Sequence, residues 1–479
     1  MRLFIQYPHL KELKQLARAK KAKIFLVGGF LRDYLAATPK ADFDFAVDKN
    51  AIALAKSFAR KIKGAFIILD EERGCARVAR KTPEGLLTYD FSDFRAKTFE
   101  ADLRARDFTV NTLYVDILTA DEKLPLKQLI KGHPLAFKDI RLKTIRMVSP
   151  QAFVDDPLRM LRAYSLKAQL RFAIPSATRA QIKKNAALIN QVSFERVRDE
   201  LFKILQSDGA SEIFKEMDAT GLLVCIMPQI KVMYKCRQGG YHHLDVWPHS
   251  LETVRQLENV LKDYRDEHPG DIYLNEDLGG GRPRYALMKL AALLHDIGKP
   301  DTKKKEPDGR TSFHGHEHVG RNITREIARQ IKISTHERHA LEDMVLWHLR
   351  PGYLSNFKVP SDKAVYRYFR DTKTEALSIA LLSMADQMST RGPLTKKEDE
   401  RHHLKICRRL IARYLEKQKE TPFISLINGH DLIKNLKLKP SPLFGIILES
   451  IKEKQVLGEV TNKKEALAMA KDLAKKNKP

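Results

Sequence analysis

Asp42 and Asp44 stand one residue apart in A-D-F-D-F-A-V, Ala41 to Val47. Side chains alternate faces along a strand, so the two carboxylates would project together while Phe43 and Phe45 enter a core. Paired carboxylates suit Mg²⁺, a hard cation that usually shares its oxygen ligands with substrate phosphates. Asp90, near the end of L-L-T-Y-D-F, is available as a third carboxylate or as an ordinary surface acid. Upstream, Gly28 and Gly29 lack Cβ atoms, which lets backbone N–H groups approach a triphosphate; a helix N-terminus adds positive potential and Arg32 a charge-assisted contact. Arg106, Asp107 and Asn111 combine a cation, an acceptor and an amide on one short segment. Asp156, Arg159 and Arg162 are spaced by three, which puts them on one face of a helix. A carboxylate accepting from an exocyclic amine, beside a guanidinium donating to a ring acceptor, matches the edges of cytosine and adenine and mismatches guanine and uracil. An N-cap aspartate followed by solvated arginines explains the same letters.

A second constellation is rich in histidine. His249 follows D-V-W-P, His295-Asp296 sits in L-L-H-D-I-G-K-P, His316 in F-H-G-H-E-H, His348 in W-H-L-R-P and Asp386 in S-M-A-D-Q. Imidazole and carboxylate ligands suit a divalent transition metal, whose bound water could attack a phosphoester, with room for two metals. Any one of these histidines alone would more often be structural, and His314 and His318 compete for the role given to His316.

These groups must be positioned by recognisable elements. Ile24 to Val27 reads as a strand, Gly28-Gly29 as a turn, Phe30 to Leu35 as a helix and Ala41 to Val47 as a returning strand. Leu54 to Ile62 is helical in pattern; Ala65 to Leu69, Ala76 to Val78 and Leu86 to Phe91 are strand-like. Beyond about residue 120 helices dominate. One begins with Asp156 as cap, Pro157 in the first position and Leu158 and Leu161 on the buried side. Asp266 to Arg284, with Gly279 to Gly281, reads as a flexible surface insertion. A chain of 479 residues exceeds one ordinary core, so two to four domains are expected. Lys+Arg 86 against Asp+Glu 60, net +26, favours a polyanionic partner and salt-sensitive binding. Four cysteines without C-x-x-C spacing argue against a disulfide framework or zinc ribbon. No signal-peptide core or membrane-length apolar run is evident, so a soluble, cytoplasmic protein with no membrane partner is expected.

G-G-F-L-R-D, Gly28 to Asp33, followed by D-F-D, resembles the head signature of the tRNA nucleotidyltransferase (CCA-adding) and bacterial poly(A) polymerase family, whose members add nucleotides to RNA 3′ ends. L-R-A-R-D-F-T-V-N-T resembles the family's R-R-D-F-T-x-N-A, with Ala105 and Thr112 as departures. Asp155-Asp156-x-x-Arg159 resembles E-D-x-x-R with Asp155 in place of glutamate; S-F-E-R-V-R-D-E-L resembles the next helical motif. The order H, HD, H, H, D resembles the HD-domain metal phosphohydrolases, and Ile427 to Leu432 with Gln455 to Val460 resembles the tail of many nucleotidyltransferases. The resemblance implies an α/β head (1–120) followed by all-α neck (121–230), HD (231–400) and tail (401–479) domains.

It implies Asp42, Asp44 and Asp90 as catalytic carboxylates with Mg²⁺. Gly28, Gly29, Arg32, Asp33, Arg106, Asp107, Asn111, Asp156, Arg159 and Arg162 would bind the nucleotide. His249, His295, Asp296, His316, His348 and Asp386 would hold a divalent transition metal in the HD domain. The partners would be the tRNA 3′ end and CTP and/or ATP. A poly(A) polymerase is the alternative enzyme, and an RNA-binding or nucleotide-sensing protein with a degenerate site the alternative of another class. One departure bears on specificity. Full CCA-adding relatives carry a longer mobile loop before the R-R-D motif, whereas only Asp93 to Leu103 precede Arg104 here. An extended residue spans at most about 3.6 Å, so this segment has little reach, and addition of only CC or only the terminal A is expected.

Overall fold

Strand β1, Ile24–Val27, ends where Gly28 turns the chain at φ +79° into the helix Gly29–Leu35. Strand β2, Asp42–Val47, returns antiparallel to β1 with Val27 opposite Asp44. Its alternation is as the sequence implies: Phe43, Phe45 and Val47 are buried, Asp42 is exposed and Asp44 half-buried. After the helix Ala51–Ile62 come β3 (Ala65–Asp70), β4 (Cys75–Thr82), β5 (Gly85–Asp93) and, later, β6 (Tyr114–Asp116). They form one sheet in the order β3-β4-β5-β2-β1-β6, in which only β2 and β5 run parallel. The parallel pair sets Asp42 beside Thr88 and Asp44 beside Asp90.

One sheet face is sealed by aromatic packing. Phe43 stacks on Tyr89 and Phe45 on Phe91 at 5.2 and 5.1 Å, and Phe58 from the helix Ala51–Ile62 meets both partners edge-on. Burying one such ring is worth about 1.5–3 kcal/mol, so these rings hold the carboxylate strand firmly in register. The other face carries the carboxylates and a small cluster of Phe25, Phe94, Phe99 and Tyr114 with Val27 and Ala46. The head core continues beyond the sheet through Leu126, Ile130 and Ala136.

The computed structural model describes residues 1–37, 41–83, 85–420, 423–437 and 439–476. They divide into two units, 1–207 with 213–226 and 208–212 with 227–479. In the first unit the helix Leu158–Leu170 starts just after Pro157, with Leu158 and Leu161 buried. The helix Phe194–Leu205 packs along it and joins it through a hydrogen bond from Ser165 to the buried Glu200.

The second unit is helical. Arg284–Leu294 and Ala376–Ser389 are buried on nearly every side, as helices at the centre of a bundle must be. Val246–Glu267, His316–Gln330 and Thr335–Trp347 surround them. The glycine-rich stretch expected to be a flexible insertion is instead tied down. Tyr273 and Leu274 are buried, and the Asp277 carboxylate accepts backbone N–H bonds from Gly279, Gly281 and Arg282. Arg282 then pairs with Glu337, the capping-box residue of Thr335–Trp347. A carboxylate two residues before a glycine collects the turn's donors, so the glycines serve an ordered turn. The tail helices Gly429–Leu436, Pro442–Val456 and Lys463–Lys476 share a separate core around Ile427, Leu432, Ile447 and Ile451. Among the described residues no helix is long and apolar enough to cross a membrane, and all four cysteines are free.

Candidate active sites

A cavity of about 1230 Å³ opens over the carboxylate face of the sheet. Gly28, Gly29, Arg32, Asp42, Asp44, Arg106, Asp107, Asn111, Asp156, Arg159 and Arg162 all line it, so the structure gathers three separate sequence motifs around one space. A Cβ on Gly28 would stand 3.6 Å from Asp44 Oδ2 and 3.8 Å from Arg106 Nη1, so a side chain there would fill the gap between carboxylate and guanidinium. Burial, and then the charges of Asp42 and Asp90, push the Asp44 pKa up to about 6. A divalent cation would relieve that repulsion, and the donors are the oxygens a hard cation takes.

Two predicted residues lie outside the cavity wall. Asp33 is buried and paired with Arg32 at 2.7 Å. Asp90 shares the face of Asp44 but gives both oxygens to Arg77, at 2.7 Å each, so ligation by Asp90 would require Arg77 to let go.

The R-D-F-T-V-N segment forms a short 3₁₀ turn, Thr109–Asn111, held by a relay of buried polar groups. Arg32 Nη1 donates to Asn111 Oδ1 (2.7 Å), and Asn111 Nδ2 donates to Asp107 Oδ1 (3.0 Å). Arg162 donates to Asp107 Oδ2 at 3.1 Å from Nε, and its Nη1 lies 3.7 Å from Glu200. Burial works against the Asp107 charge, but Arg162, Asn111 and the Phe108 N–H outweigh it and hold its pKa down at about 2. The Thr109 hydroxyl and Arg146 both reach Asp139, which is fully buried.

Asp156 has extended backbone ahead of its helix. Its Oδ1 accepts from the Leu158 N–H (3.3 Å), the capping role, and its Oδ2 accepts from Arg196 (2.9 Å). Arg159 is buried and donates to the Ala152 carbonyl. Both side chains reach the cavity wall, but base reading by Asp156 requires Arg196, half exposed, to yield its place.

The second unit brings all six predicted metal ligands together. His249, His295 and Asp386 form one group and Asp296, His316 and His348 another, with ligand atoms within 4.8 Å of one another in each group. His249 Nε2 lies 3.0 Å from Asp386 Oδ1, and His316 Nε2 lies 3.3 Å from Asp296 Oδ1. Asp296 Oδ2 is 3.3 Å from His295 Nε2, so one carboxylate faces both groups. His295, His316 and His348 each point Nδ1 at the carbonyl three residues earlier, at 2.9, 2.8 and 2.7 Å. That fixes the tautomer and leaves Nε2 as the lone-pair donor. His295 Nε2 is buried without a hydrogen-bond partner. Burial lowers the His295 pKa, but Asp296 and Asp386 carry it up to about 10; burial and then His295 and His316 drop His348 to about 3. A bound cation would supply the positive charge that Asp296 and Asp386 call for at this buried site, so the donor set fits a divalent metal. Gly298 is required by closeness: a Cβ there would come within 2.2 Å of the His316 carbonyl and 2.5 Å of the Gly320 N.

Several residues at these sites escape a motif reading. Lys299 lies 2.6 Å from Asp296 and donates to Gln238, and His242 packs edge-on to His249 at 4.8 Å. Lys299 was signalled by its i+3 spacing from Asp296; nothing local signals Gln238. In the head, Asp102 holds Arg106 at 3.0 Å, an i,i+4 pair, and Arg196 and Glu200 arrive from a distant helix.

Comparison with known proteins identifies the domains that carry these sites. The poly A polymerase head domain matches residues 24–146, the HD domain 246–391 and tRNA nucleotidyltransferase domain 2 residues 424–470. An A-adding tRNA nucleotidyltransferase of Deinococcus radiodurans is 33% identical over 92% of this chain and 94% of its own. A CC-adding tRNA nucleotidyltransferase of Thermus thermophilus is 29% identical over 93% of this chain and 92% of its own. The Thermotoga maritima CCA-adding enzyme, solved with tRNA, shares the fold with a TM-score of 0.59 at 19% identity, covering 98% of this chain and 95% of its own. With its nucleotidyltransferase head, helical neck and HD domain in this order, the chain belongs to the tRNA nucleotidyltransferase family of CCA-adding enzymes.

Proposed function

We propose that this chain builds part of the CCA end of tRNA from CTP or ATP, with a separate HD centre that hydrolyses phosphoesters. The observation that carries the reading is the single cavity in which Asp42 and Asp44 meet the Gly28-Gly29 turn, Arg106 and the Asp156/Arg159 pair. The reaction joins the RNA 3′ oxygen to the α-phosphorus and releases pyrophosphate. Mg²⁺ held by Asp42 and Asp44 would stabilise charge on the transferring phosphoryl group. Gly28 and Gly29 leave space for the phosphates, and Arg32 and Arg106 bring positive charge to the same wall. Asp156 and Arg159 present an acceptor and donors that suit the cytosine or adenine edge. The relay through Asn111, Asp107 and Arg162 keeps the strand and helix components in fixed relation.

Partial addition is supported by the short connection between β5 and the helix Phe99–Arg104, only residues 94–98, and by relatives that are named for A addition or CC addition alone. A loop this short cannot sweep across the cavity, which favours one stage of addition, CC or A, over both. In the HD centre the six ligands suit a transition metal, and a reducing cytoplasm suits four free thiols. The net charge of +26 suits a tRNA partner. Incubating the purified protein with labelled CTP and ATP on tRNAs lacking all, one or two of the terminal nucleotides tests the reading. Extension by CC alone, or by A alone on tRNA ending in CC, is expected. Synthesis of the full CCA end overturns partial specificity, and incorporation of neither nucleotide overturns the polymerase reading.

A further inference from the structure

We propose that Arg95, on the short loop after β5, is a fixed phosphate-binding residue of the nucleotide cavity, a role that rests on the nucleotidyltransferase reading. The loop is clamped at both ends. Phe94 before it and Phe99 after it pack on Phe25, with centroids at 6.0 and 3.7 Å, and Phe99 meets Tyr114 edge-on at 4.8 Å. Between the clamps, the Arg95 backbone N–H donates to Asp102 Oδ1 at 3.0 Å. The other oxygen of Asp102, which is almost fully buried, holds Arg106 through Nε and Nη2 at 3.2 and 3.0 Å. One carboxylate therefore sets the backbone of Arg95 and the guanidinium of Arg106 together.

The Arg95 side chain lines the cavity, and among the described residues no carboxylate comes within ion-pair distance of its guanidinium. Asp102, the obvious neutraliser, is already spent on Arg106 and on the loop backbone. Although Arg95 is exposed by surface, the surrounding protein and then Arg106 beside it pull its pKa below the ordinary arginine value, with Arg159 adding to the crowding. An arginine set beside Arg106 with no ion-pair partner of its own calls for an anion, and the one the reaction brings is the triphosphate. Where a long loop would have to close on the nucleotide, the backbone of Arg95 is already in place, so its binding carries little backbone ordering cost.

The test compares the full-length wild type with Arg95→Ala and Arg95→Lys by isothermal titration with inorganic tripolyphosphate, CTP and ATP. Loss of a charge-assisted contact to phosphate should weaken tripolyphosphate and nucleotide binding about tenfold in Arg95→Ala, with Arg95→Lys keeping most of the affinity. The KM for nucleotide should rise in parallel. Only the backbone of Arg95 is tied to Asp102, so the thermal unfolding midpoint and HD hydrolysis should stay at wild-type values. Tripolyphosphate affinity in Arg95→Ala within twofold of wild type, or no tripolyphosphate binding by wild type, overturns the inference. Arg95-dependent binding in a protein that incorporates neither C nor A would instead sink the polymerase reading and leave the anion site standing.

Discussion

Replacing Asp107 with asparagine probes the joint that holds the nucleotide cavity together. The carboxylate accepts from Arg162, Asn111 and the Phe108 N–H, and its pKa falls from 3.8 to about 2. At about 1.4 kcal/mol per pH unit, that drop is worth about 2 kcal/mol of stability to the first unit at neutral pH. Asparagine keeps one acceptor but turns a donor toward Arg162, whose remaining ion-pair contact is Glu200 at 3.7 Å. The sign follows from the depressed pKa: the contribution is present above 3.8 and is lost as pH falls toward about 2. By two-state titration, roughly half of it remains at pH 3. Both tryptophans, Trp247 and Trp347, lie in the second unit, so their fluorescence does not report on this joint. Hydrogen exchange of peptides covering residues 106–115, corrected for intrinsic rates, does. Wild type and Asp107→Asn should differ by about 2 kcal/mol in opening free energy at pH 7 and by about half that at pH 3. A gap that does not change with pH, or one below about 0.5 kcal/mol at pH 7, would refute the assigned cause, because the relay would then be geometric and not electrostatic.

Asp44→Asn should cut nucleotide incorporation by at least about a thousandfold while HD hydrolysis persists, and retention of a tenth of wild-type incorporation would remove Asp44 from the reaction. Asp156→Ala should raise UTP use relative to CTP, since losing a good base contact costs about 1–3 kcal/mol of discrimination. An equal fall in kcat/KM for all four nucleotides would leave only the capping bond to Leu158. Asp296→Asn should strip metal from both groups, because its two oxygens face one group each, and a full metal complement by elemental analysis would refute the shared-ligand arrangement.

Much of this protein is decided locally. Alternation alone separates Phe43 and Phe45 from Asp42 and Asp44, because a strand has a period of two and the apolar side must be buried. Gly28 is legible because the turn needs a positive φ, and the helix after Pro157 because its leucines recur at helical spacing. The order of histidines and aspartates likewise resembles that of an HD domain before any fold is known, and the HD domain is matched there. How these groups divide and pair depends on segments that no local pattern links. Asp296 faces both ligand groups only because helices from five parts of the chain converge on it. Asp90 turns to Arg77 because β4 lies antiparallel beside β5 and sets those two residues opposite each other. The glycine stretch after Asp277 looks flexible by composition, yet Glu337, far along the chain, supplies the partner that orders it. Arg196 reaches Asp156 across forty residues for the same reason. Local periodicity fixes which face a side chain takes, whereas the partner on that face is set by tertiary packing, and at these sites the partner decides what the charge does.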